Sequence, residues 1–372
     1  MKAGIGLSRR RVLAGSFATL AGVPVAWAAV PDLVDVLRRP AAIGPRAQGS
    51  VMIAIARAGD RLVAVGERGI VLLSDDHGVT WRQAKVPVSV SLTAVQFVDA
   101  QRGWAVGHSG TVLFSADGGT SWTLQLDGAR AARIALEAAR AEVGGPAESN
   151  GEARRNRLND AERLVADGPD KPFLDLQFAD ARNGFIVGAY GLAFRTRDGG
   201  ENWQSWIGRL PNPRGKHLYR IGVLAKHFYL AGEQGLLLRS DDGGERFTSI
   251  ETPYAGTYFG IHAYADGGLL AFGLRGNMYG SLGADKPWTK VDLGTSNTLV
   301  DRAVLADGRL LLVDQQGQTF VSSSAERSGS FARSSLSFGV PVSALVQAAD
   351  GSLIAASLHG VRRVAAPPTI AH

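Results

Sequence analysis

The chain has 372 residues, 45% of them hydrophobic and 20% charged, with 47 glycines and no cysteine. That is ordinary globular composition, and so many glycines point to tight turns rather than long helices. The missing cysteines exclude disulfides and thiolate metal sites. Four of the bases behind the formal charge of +6 lie before residue 12 with no acid beside them, so the basic balance is weak evidence for nucleic-acid binding.

Residues 1–28 read as an export address rather than as part of the fold. Ser8-Arg9-Arg10-Arg11 puts a twin arginine ahead of an apolar stretch that Gly15, Gly22 and Pro24 interrupt, and Ala26-Trp27-Ala28 supplies a small-x-small cleavage pattern. The stretch is shorter than the roughly 20 apolar residues of a spanning helix. It resembles a bacterial twin-arginine (Tat) signal, which implies a periplasmic protein. The mature chain, 29–372, would then carry +2 and no segment suited to direct membrane insertion. Arginine outnumbers lysine 33 to 7, and its planar fork suits carboxylates and phosphates.

A phrase recurs from residue 65 onward: Gly-x-x-Gly, an apolar run, then Ser/Thr-x-Asp-x-Gly-x-x-Trp. Full copies run from Gly66 to Trp81, Gly107 to Trp122, Gly188 to Trp203 and Gly232 to Phe247. Degenerate copies begin at Gly273, Asp314 and Ser357. The second small residue falls at 69, 110, 191, 235, 276, 317 and 360, at intervals of 41, 81, 44, 41, 41 and 43. The interval of 81 holds one repeat plus an insertion. Seven units of about 41 residues, each with four short β-branched or aromatic runs, predict an all-β, seven-bladed β-propeller. In the second unit the expected strands are Leu92–Val98, Gly103–Gly107, Gly110–Ser115 and Trp122–Leu126. Ala41-Ala42-Ile43 is the expected outer strand of the last blade, closing the ring.

The insertion, 128–171, predicts a helical hairpin between blades two and three. Arg130–Val143 is rich in Ala, Arg and Glu, with Ile134, Ala138 and Ala141 along one stripe. A second helix from about Glu152 to Val165 groups Leu158, Ala161 and Val165. Its acids and bases balance, and it is placed to act as a lid or docking arm.

The Asp-containing phrase is an Asp box. Its carboxylate accepts backbone N–H bonds inside a turn, and its aromatic packs between blades. Asp76, Trp81, Asp117, Trp122, Asp198, Trp203, Asp242 and Phe247 are therefore structural. Gly-x-x-Gly followed by Asp-Gly-Gly-x-x-Trp behind an export signal resembles the photosystem II stability/assembly-factor propeller family, whose repeat also occurs in non-photosynthetic bacteria. The resemblance spans about residues 50–365. It implies a helper that binds a membrane complex through an arginine-bearing face.

Propeller geometry puts the residue before each second glycine on one face: Arg68, Ser109, Tyr190, Gln234, Arg275, Gln316 and His359. Arg68, Tyr190, Gln234, Arg275 and His359 are the candidate partner-binding residues, since arginine and tyrosine are favoured at hot spots. The expected function is a monomeric, non-catalytic scaffold for an inner-membrane protein complex. The alternative is a sialidase-like glycoside hydrolase or carbohydrate-binding propeller, because those also carry Asp boxes. The Arg-Ile-Pro phrase of sialidases is missing, the histidines lack metal-ligand spacing, and no Gly-x-Ser-x-Gly occurs. No catalytic residue, metal or cofactor is expected.

Overall fold

The computed structural model describes residues 36–144, 151–326 and 330–365; the expected export segment lies outside them. Seven antiparallel sheets follow one another in chain order. They start at Met52, Leu92, Phe173, Leu218, Tyr258, Leu299 and Val342, and we number the blades one to seven in that order. Blades one to six have four strands and blade seven has three among the described residues. The first strand of each sheet is an edge strand. It packs against the first strands of the two neighbouring blades, and blade seven packs against blade one, so the seven-bladed ring is closed.

Seven separate apolar clusters hold the ring, one in each gap between blades. Strand alternation produces them: on the second strand of blade two, Trp104 and Val106 face blade three while Ala105 faces blade one. Trp104 is fully buried, stacks on Phe178 of blade three at 3.7 Å, and donates its Nε1–H to the Gly199 carbonyl at 3.1 Å. Asp-box aromatics fill the same gaps, each against the preceding blade: Trp122 lies between blades one and two, Trp203 between two and three, and Phe247 between three and four.

The Asp boxes share one hydrogen-bond pattern. In blade two the Asp117 carboxylate accepts the Ser115 hydroxyl at 2.8 Å and the Ser121 N–H at 2.9 Å, while Ser115 Oγ accepts the Gly119 N–H at 2.8 Å. Asp76, Asp198 and Asp242 repeat it. The hydroxyl and N–H of Thr80, with the Ser74 hydroxyl, hold the Asp76 carboxyl at about 2.

Ring closure departs from expectation. Ala41-Ala42-Ile43 forms no strand of blade seven. The Ala41 N–H donates to the Val86 carbonyl, and Gln83 bonds the Ala42 carbonyl and the Gly44 N–H. Pro40 and Pro45 flank this segment, and proline cannot donate to a ladder. The strap then crosses to the other side of the joint: Ala47 packs with Ile354 and Ala356 of blade seven, and Gln48 donates to the Trp81 carbonyl of blade one. Arg363 of blade seven adds a bond to the His77 carbonyl.

The hairpin consists of α1, Gly128–Gly144, and α2, Gly151–Asp167. Its buried stripe is Ala131, Ala132, Ala135 and Ala139, with Ile134 half-buried and Ala141 exposed. On α2 only Ala161 is buried, and Val165 is exposed. α1 lies on the tip of blade two and the outer strand of blade three, Gln204–Ser205, so the hairpin docks on the ring's flank.

Candidate functional site

The two glycines of each Gly-x-x-Gly shape a tip between the second and third strands. A Cβ on Gly107 would overlap the Ser91 carbonyl oxygen, which accepts the His108 N–H at 2.9 Å. Gly110 has φ +61° and touches the backbone of Gly128, where the insertion begins. Between the glycines stands a residue that is not glycine yet has left-handed backbone. Arg68, Ser109, Tyr190, Gln234 and Arg275 all have φ between 52° and 57°. For a residue with a Cβ that conformation costs about 1–2 kcal/mol. Five tips therefore hold a polar or aromatic side chain outward against a local backbone penalty, as binding residues often do.

Arg68, Tyr190, Gln234, Arg275 and His359 are all exposed, Tyr190 by 59%. The last two tips are built differently. Gln316 sits in a turn where Asp314 Oδ1 accepts its N–H and that of Gln318, and His359 sits in a two-residue hairpin whose N–H bonds Ser357 Oγ. Arg68 and Arg275 belong to blades one and five, which are not neighbours, and neither forms an ion pair among the described residues.

Around Tyr190 the structure assembles residues that the repeat did not mark. The Lys171 ammonium lies 5.2 Å from the centre of the Tyr190 ring. From Tyr190 a row of rings runs inward across three blades: His217 at 4.9 Å, Tyr219 at 6.1 Å from His217, then Phe259 at 5.0 Å from Tyr219. Tyr219 and Phe259 are the second residues of the inner strands of blades four and five, and both are half-buried at the mouth of the channel. The backbone fixes the row: Glu233 Oε1 accepts the His217 N–H at 3.0 Å, and Lys216 Nζ donates to the Gln234 carbonyl at 3.1 Å.

Below the row, polar side chains satisfy inner-strand edges. Gln96 of blade two exchanges bonds with the backbone of Phe178 in blade three. Asp175 of blade three accepts the Ile221 N–H of blade four at 2.7 Å, and Asp301 of blade six accepts the Leu345 N–H of blade seven at 2.9 Å. Arg220 reaches from blade four past blade five to Asp301 Oδ1 at 3.1 Å, so an ion pair spans the channel. Gly260 holds the corresponding place in blade five. Burial pushes the Asp175 carboxyl up, against the pull of Arg220. Burial, aided by Arg302, pushes His262 down to about 3 and keeps it neutral. Both channel carboxylates are bound to backbone N–H groups, and among the described residues no group of His, Asp or Glu gathers as metal ligands do. No described helix is long and apolar enough to cross a membrane.

The family described as photosynthesis system II assembly factor YCF48 matches residues 73–139 and 163–328, more than half of the sequence. The chain belongs to this family. Solved YCF48 structures share its fold. One, described as YCF48 bound to D1 peptide, is 13% identical with a TM-score of 0.62, covering 86% of this chain and 95% of that one. YCF48 from Cyanidioschyzon merolae is 15% identical with a TM-score of 0.60, covering 88% and 98%. A GH74 enzyme of Niastella koreensis is also similar, 14% identical with a TM-score of 0.58, over 87% of this chain and 53% of its own. These likenesses establish the propeller fold, which hosts both binders and hydrolases. No curated protein matches the chain in sequence.

Proposed function

We propose that this YCF48-family propeller is a non-catalytic assembly scaffold that binds an extended peptide segment of an inner-membrane complex across its tip face. One observation carries the reading: exposed, non-glycine tips in left-handed backbone surround a row of rings from Tyr190 to Phe259 on that face. Rings present broad, rigid area at low conformational cost, and Arg68 and Arg275 supply charge on the same face. That a family structure was solved with a D1 peptide supports a peptide as the ligand class. Export through Arg9 and Arg10 would place the scaffold in the periplasm, where it acts as a monomer.

The test is affinity purification of the tagged protein from mildly solubilised envelopes, beside a Tyr190→Ala/Arg275→Ala variant. A membrane protein recovered with the parent and lost with the variant is the expected result. Equal recovery by both, or released sugar with no protein partner, refutes it. Replacing Arg9 and Arg10 with lysine should leave the protein in the cytoplasmic fraction, and unchanged fractionation refutes the export reading.

A further inference from the structure

Blade seven ends in an open sheet edge. Its third strand, Gly360–Val364, pairs with Leu353–Ser357 and with no outer strand among the described residues. Antiparallel alternation turns the N–H and C=O of Val361 and Arg363 outward, and no described group bonds them. The Gln48 carbonyl sits against Gly360 at one end, and the earlier part of the strap lies along blade one. In blades one, three and four the outer strand pairs over only two residues, so this edge is long enough to take one. Its side chains also differ from those of the other blades. Where the third strand meets the preceding gap, blades two, three and four carry Leu113, Phe194 and Leu238, each clustered with its own Asp-box aromatic. Blades one, five and six repeat that pairing. Blade seven has Arg362 in this place, exposed and without an ion pair among the described residues, and it contributes no aromatic to the gap. Val364 lies half-buried there, beside Leu336 of blade six's outer strand.

We propose that this edge binds an extended segment of a partner protein that reads aromatic-x-acid and supplies the fourth strand. Register sets that order. In blades five and six the outer-strand aromatic stands opposite the last third-strand residue, Trp288 against Ser281 and Phe331 against Ser322. The residue two further on stands opposite Tyr279 or Phe320. Val364 and Arg362 hold those two places in blade seven. A ring opposite Val364 would fill the gap between blades six and seven, and a carboxylate opposite Arg362 would meet its charge. Main-chain bonds to Val361 and Arg363 would supply the rest, as in other strand additions. A second copy of this chain would instead bring two arginine-bearing edges together. The edge is distinct from the row of rings between Tyr190 and Phe259, and the inference does not depend on the scaffold reading.

The experiment titrates the capped peptide Thr-Trp-Thr-Glu-Ala-Lys, patterned on residues 80–85, into the full chain by calorimetry. Saturable one-to-one binding is expected. Alanine in place of the peptide's tryptophan, or proline in place of the threonine that follows it, should weaken binding at least tenfold, because the first loses the ring and the second the N–H aimed at the Arg363 carbonyl. Arg362→Glu should weaken binding at least tenfold and should prefer a peptide with lysine in place of the glutamate. Arg246→Glu, on an exposed Asp-box turn, should bind like the parent. No binding by the parent, equal binding of all four peptides, or undiminished binding by Arg362→Glu overturns the proposal.

Discussion

Replacing Asp301 with asparagine removes the charge that Arg220 crosses the channel to reach, yet keeps an oxygen for the Leu345 N–H. Breaking a buried pair by losing one partner typically costs about 3–5 kcal/mol. Arg220 keeps 32% of its side chain exposed and Asp301 12%, so solvent screening brings the cost below that range, to about 2–3 kcal/mol. Arg220→Met should cost less, about 1–2 kcal/mol, because Arg302 stands beside the abandoned carboxylate and shares its charge. The double variant leaves neither charge unpaired and should fall within about 1 kcal/mol of the parent. The implied coupling is about 3 kcal/mol. Urea unfolding followed by tryptophan fluorescence measures it, provided the m-value is constant across the four proteins. Additivity within about 0.5 kcal/mol would refute the argument, since it would mean that the two groups do not sense each other across the channel.

Folded His262 titrates at about 3 and its unfolded form near 6.5, so native protein binds fewer protons and stability falls as pH drops below about 6.5. At about 1.4 kcal/mol per pH unit the loss reaches about 2 kcal/mol by pH 5; His262→Gln should remove it, and parallel pH profiles for the two proteins would contradict it. Arg275→Gly should raise stability by about 1 kcal/mol by relieving left-handed strain, while weakening partner capture; a lower melting midpoint would show that the tip is unstrained. Asp117→Ala should cost about 1 kcal/mol, the worth of losing the Ser115 and Ser121 bonds at an exposed turn, with no effect on capture. Trp104→Ala should cost about 3–5 kcal/mol by opening a cavity between blades two and three, read by chemical denaturation.

The repeat is legible in the sequence because its two phrases are local. Gly-x-x-Gly and the Asp box each complete their hydrogen bonds within a few residues, so spacing alone places Arg68, Tyr190 and Arg275 on tips. The channel is not legible in the same way. Asp175 and Arg220 are lone charges in apolar strands, Asp301 has only Arg302 beside it, and their partners come from other blades. One signal exists: all three take the third place of an inner strand, where Ala54, Ala94 and Ala344 stand in other blades. Tyr219 and Phe259 hold the second place and are hidden for the same reason. The buried face of α1 differs from the expected stripe because alanine lines several faces of that helix, and close docking selects Ala131, Ala135 and Ala139 over bulkier Ile134. The strap differs from the expected strand because its bonds are chiefly to side chains and to an outer connector.

The caps on the inner-strand edges make the blades ordered parts rather than interchangeable copies. Gln96 fits the backbone of blade three, Asp175 that of blade four, and Asp301 that of blade seven, each reaching one place forward in the circle. An engineer who deleted or duplicated a unit would separate such a key from its lock even where the apolar gaps still filled. Cutting the chain at an exposed connector and linking residue 365 back to residue 36 would leave every key facing its own lock.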